Sequence, residues 1–121
     1  MKQYTEDVVE VADEISEDSD GTYEMANLFS EHTGLPFVVW ISTKAGARHD
    51  VRVKVAPGPH VHPSDLTSVA IRPDIRVVHG EMRASDLVLL TKWINLNRDV
   101  LLKYWEETID TGDAVEAIRA I

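Results

Sequence analysis

The sequence predicts an α+β protein in which a small antiparallel sheet of about four strands is covered by a long C-terminal helix and preceded by N-terminal helices. Three patterns carry that prediction. Val51, Val53 and Val55 alternate with Arg52 and Lys54, the period of two expected of a strand with one buried face. Leu89, Leu90, Trp93, Leu96, Val100, Leu101, Tyr104 and Trp105 fall on one side of a helix, opposed by Lys92, Asn95, Asp99, Lys103 and Glu106. A chain of 121 residues, 44% of them hydrophobic, holds enough apolar material for one core.

In chain order, Thr5 caps a first predicted helix, whose apolar face is Val8, Val11, Ala12 and Ile15. The acidic stretch Ser16 to Gly21 breaks it, and a second helix is expected from about Thr22 to Thr33, stopped by Gly34 and Pro36. From Phe37 the run Phe-Val-Val-Trp-Ile-Ser reads as an interior strand, followed by a glycine-containing connection over 43–48 and a strand over 49–55. Pro57, Pro59 and Pro63 mark a loop. Short strands follow at about Thr67 to Ile71 and Asp74 to Val78, turning at Pro73, and Gly80 ends the sheet. Ser85 is read as the N-cap of the long helix, which runs to about Ile109, its excess length either bending near Asn95 to Asn97 or packing on a second subunit. Thr111, Gly112 and Asp113 break it before a short apolar helix over 114–121.

Charge divides the chain unevenly. Residues 1–33 carry ten acids against Lys2 alone, which accounts for the whole net charge of −9, while residues 34–121 are balanced. The sequence is therefore read as an acidic N-terminal helical segment, 1–33, joined to an α+β domain, 34–121. One reading of that segment is a solvated terminus; a sharper one is a cover over basic residues of the body that a partner displaces, and a third is an acidic helix that docks onto another protein. Without cysteine there is no disulfide and no thiolate nucleophile, and with no apolar leader or membrane-length apolar run the protein is expected to be cytoplasmic and to engage no membrane.

The stretch from about Val38 to Glu107 resembles a family of small bacterial domains of unknown function that carry a histidine-containing strand motif and a C-terminal Trp-containing helix. The matching parts are Arg48-His49-Asp50-Val51-Arg52 and the helix with Trp93 and Trp105 twelve residues apart. The family's paired prolines and second strand histidine are missing here, Asp50 and Val51 standing in that part of the motif. The resemblance implies a compact α+β domain of a bacterial regulatory or toxin-antitoxin-like operon and no established reaction.

Two constellations bear on function. Lys44, Arg48, Arg52, Lys54, Arg72 and Arg76 are predicted to form a basic surface on and beside the wet sheet face, suited to an acidic partner or a phosphate, although no aromatic interleaves with them in sequence. His60 and His62, two residues apart in an extended loop, have the spacing of a metal pair but lack nearby carboxylates except Asp65, so no metal and no cofactor is expected. His49 is the one candidate for acid–base work, and its neighbour Asp50 would point to the opposite strand face. The leading reading is a small interaction or regulatory protein, not an enzyme, with a protein partner or a second copy of itself; nucleic acid is a partner class that the bases alone do not establish. The alternative is a metal- or His-dependent hydrolase or nuclease using His49, Lys44 and Arg48.

Overall fold

The computed structural model describes residues 6–10, 22–56 and 66–121. The architecture is α+β, an antiparallel sheet covered on one side by helices. The strands are β1 (Glu6–Glu10), β2 (Thr22–Leu28), β3 (Val38–Ser42), β4 (Arg52–Ala56), β5 (Thr67–Ala70) and β6 (Arg76–His79), and the helices α1 (Ser30–Thr33), α2 (Ala84–Trp105) and α3 (Thr111–Ala117). Every strand pairs with the next in sequence, giving one six-stranded meander in the order β1-β2-β3-β4-β5-β6.

The four strands expected between residues 37 and 80 are present. Val51, Val53 and Val55 are buried as their alternation requires, and β3 is buried on both sides at Val38 and Val39. The expected N-terminal helices are a correction. Glu6–Glu10 and Thr22–Leu28 are strands, and among the described residues of this segment only Ser30–Thr33 is helical. The physical reason lies in β3, whose backbone needs a partner on its second edge. β2 supplies it, with Leu28 opposite Val39 and Ala26 opposite Ile41, and Ala26 and Leu28 are completely buried. A short apolar run suits either period, and here pairing decides. Residues 22–28 are thus built into the sheet and cannot act as a removable cover. The Thr5 cap, the breaker at 16–21 and the proline loop at 57–63 lie outside the described residues.

Val39, Ile41, Val53, Val69 and Ile71 on one sheet face meet Leu90, Trp93, Ile94, Leu101, Tyr104 and Trp105 of α2 and Ala114 and Val115 of α3. The bend expected in the long helix sits at Asn97, whose φ of −113° and ψ of 15° leave the helical range. Its side chain donates from Nδ2 to the Trp93 carbonyl one turn back, at 2.9 Å, a local bond of the kind that disturbs the helical ladder.

Both helix ends differ from the sequence reading. The N-cap is Arg83, not Ser85. The helix stops at Trp105, four residues early, through a Schellman turn in which Thr108 N–H donates to the Lys103 carbonyl at 2.9 Å and Glu107 N–H to that of Tyr104 at 3.0 Å. Glu107 takes the left-handed position, with φ of 64°, where glycine is usual. Thr111 to Asp113 opens α3 instead of breaking a helix, because the Asp110 carboxylate caps it by accepting from the Asp113 N–H at 2.8 Å.

Candidate functional site

The six basic residues expected to share one surface are separated by the fold into two groups. Arg52 and Lys54 belong to β4 and alternate with buried Val53 and Val55, so they stand on the sheet face opposite the helices. Register supplies their neighbours. Lys54 faces Trp40 on β3 and Ser68 on β5, and Trp40 in turn faces Asn27 on β2. Arg52 faces Ala70, which faces Arg76 on β6. Directly opposed residues have Cβ atoms about 5 Å apart, so the half-buried Trp40 ring stands beside the Lys54 stem. Arg52 and Arg76, two strands apart, are roughly 10 Å from each other by the strand spacing.

Ala56, Ser68 and Ala70 are small and buried, and they form a floor edged by Trp40, Arg52, Lys54 and Arg76. Arg76 is half-exposed and donates to the Asp74 carboxylate at 3.2 Å. Arg52 and Lys54 each hold a further polar or ionic contact. The aromatic that is absent from the sequence neighbourhood of the bases is therefore present in space, brought there from twelve and fourteen residues away by the β3–β4 register.

Lys44 and Arg72 instead make their contacts at the end of the sheet where α2 terminates. Lys44 Nζ binds Glu106 at 2.9 Å. Arg72 holds the Asp50 carboxylate with two parallel bonds, Nε at 2.7 Å and Nη2 at 3.0 Å, and its Nη2 also lies 3.5 Å from Glu106. The result is a chain of alternating charges, Lys44, Glu106, Arg72, Asp50, that ties the β3–β4 connection and the β5–β6 turn to the helix end. The hydrogen bond from Arg72 holds the Asp50 carboxyl below its ordinary range, and Lys44 does the same for Glu106. Reciprocally, Glu106 raises Lys44 and Asp50 raises Arg72. All four side chains are between 39% and 50% exposed, so solvent screens these pairs and their contribution to stability is small. Arg48 is exposed in the same connection.

His49 also belongs to this end. Its ring stacks on Trp105, with centroids 5.8 Å apart and planes 27° apart, and its Nδ1 lies 2.7 Å from the Asp50 backbone carbonyl. Both the ring face and one nitrogen are engaged in holding the connection against α2. Lys44, its companion in the hydrolase reading, is held by Glu106. His60 and His62 lie outside the described residues. Among the described residues, no group of three His, Asp or Glu side chains stands close enough to bind a metal ion, and no helix is long and apolar enough to cross a membrane. No family model, curated protein or solved structure matches the chain.

Proposed function

We propose that the protein is a non-enzymatic binding module that takes an acidic segment of a partner protein on the sheet face of Trp40, Arg52, Lys54 and Arg76. The observation that carries this reading is the juxtaposition of Trp40 and Lys54 on neighbouring strands, beside a floor of alanine and serine. Such a surface offers a ring to pack against and cations to either side, and an arginine with five N–H donors or a lysine with three accepts a carboxylate beside an existing contact. The net charge of −9 favours a short acidic stretch over nucleic acid, since a duplex carries one charge per ~1.7 Å and is repelled along its length.

The test uses tryptophan emission. Trp93 and Trp105 are 0% and 4% exposed, so the half-buried Trp40 dominates any ligand-induced change. Titration with a glutamate-rich peptide is expected to shift the emission, to weaken as salt rises, and to disappear in Trp40→Phe. Oligothymidylate run in parallel is expected to bind more weakly. An emission spectrum indifferent to the peptide at low salt would refute the assignment, and preferential binding of the oligonucleotide would replace the acidic peptide with a nucleic acid ligand.

A further inference from the structure

The chain leaves α3 at Ile118, whose backbone is extended, and residues 118–121 lie in a seat between the kink of α2 and the end of α1. Asn97 grips the backbone of Arg119 on both sides, donating from Nδ2 to its carbonyl at 3.0 Å and accepting its N–H on Oδ1 at 2.7 Å. The Ile121 N–H donates to the Thr33 carbonyl at 2.9 Å, and His32 Nε2 lies 2.8 Å from the Val115 carbonyl. Asn97 is only 1% exposed, and its amide is shared between the Trp93 carbonyl one turn back and this grip on Arg119. A carboxamide bonded to both polar groups of a single residue reads main chain and is indifferent to the side chain.

Burial along the segment agrees. Ile118 is inserted at 8% exposure, whereas Arg119, Ala120 and Ile121 are exposed, Ile121 at 45%. Gly34 keeps room for the backbone, since a Cβ there would stand 2.5 Å from the Ile121 carbonyl oxygen. Attachment thus consists of a few main-chain hydrogen bonds, one aliphatic anchor and the packing of α3. The arm is hinged on the short turn 106–110, whose pivot Glu107 is held in the left-handed region. Strain in a short hinge favours opening of the element beyond it.

We propose that this seat is an exchange site for a second copy of the chain, in which the arm of residues 111–121 leaves its own seat and docks in that of another molecule, giving a reciprocal homodimer. The occupant is fixed by what the seat already holds, because a segment that fits within one molecule presents the same atoms to another. The surface is distinct from the Trp40 face, so the two assignments stand or fall separately. The closed arm competes at an effective concentration on the order of 1 mM. Dilute protein is therefore monomeric, and dimer grows as the protein concentration approaches that value.

The decisive experiment removes the competition. Arg119→Pro loses the N–H that Asn97 accepts while changing only an exposed side chain, which leaves a good seat and a poor arm. Asn97→Ala leaves a good arm and a poor seat. Mixed in equal amounts, they are expected to sediment as a heterodimer at concentrations where each alone is a monomer. A mixture that sediments as monomer, with both variants retaining the circular dichroism of the parent, overturns the proposal. Should Asn97→Ala fail to fold, Glu107→Gly decides instead. A relaxed pivot lowers the dimer fraction of concentrated protein, and an unchanged or raised fraction overturns the proposal equally.

Discussion

Lys44 and Lys54 are ten residues apart, in strands and turns that pack on the same core, yet the fold gives them opposite circumstances. Lys44 is absorbed into a self-neutralising chain of charges with Glu106, Arg72 and Asp50 at the helix end. Lys54 stands beside Trp40 on the sheet face opposite α2, with Arg52 two residues before it and Arg76 across Ala70. One region uses cations to close the structure on itself. The other gathers them around a ring and a floor of small side chains, the arrangement proposed above to take a ligand. Residue type therefore says little about a basic side chain until its carboxylate partners are known.

The largest test of this contrast is Trp105→Ala. Trp105 is 4% exposed, carries the His49 ring and accepts the Lys44 backbone N–H at 3.0 Å through its carbonyl. Its truncation is expected to lower unfolding free energy by about 3–5 kcal/mol in denaturant titrations, while protein that remains folded binds the acidic peptide as before. Next comes the pair Lys54→Glu and Lys44→Glu. The first should weaken peptide binding at least tenfold with little change in melting temperature, about 1.4 kcal/mol or more of binding free energy. The second should lower the melting temperature slightly and leave the peptide affinity alone. If both weaken binding alike, the two regions act as one surface.

Smaller effects follow from the charge chain itself. Arg72→Ala removes the partner of Asp50 and should cost under about 1 kcal/mol of stability, without effect on the peptide. The pH dependence has a definite sign. Asp50 and Glu106 have folded-state pKa values below their unfolded ones, so their contribution is present above the ordinary carboxylate range, near about pH 4, and is lost as pH falls through the lower folded values. Acid unfolding of Arg72→Ala should accordingly show less of this loss than that of the parent. An identical acid limb in the two proteins would mean that the Asp50 pair contributes nothing.

Much of the framework is legible in the residues themselves. The alternation through Val51, Val53 and Val55, the stop at Gly34 and the irregularity around Asn97 all follow from local chemistry. β2 is not legible, because residues 22–28 satisfy a helical or an extended period equally well and only the free edge of β3 decides between them. The end of α2 is equally hidden, since Glu107 occupies a position that glycine would have announced. The Asp110-x-x-Asp113 cap was readable as a helix start, and its carboxylate three residues ahead of a free N–H is the signal. The candidate face depends on register: nothing in the spacing of Trp40 and Lys54 reveals that they are opposite one another, and the Lys44–Glu106 pair spans 62 residues.

The uninterrupted meander also bears on how the protein is born. Because each described strand pairs with the next described one, the sheet can grow strand by strand as the ribosome delivers it, at the low loop-closure cost of near-neighbour contacts. Its covering helix comes last, so Val39, Ile41, Val53 and Val69 face water until residues beyond Leu90 have left the exit tunnel. The nascent chain therefore passes through an interval with a finished sheet and a bare greasy side, when a chaperone has most to protect.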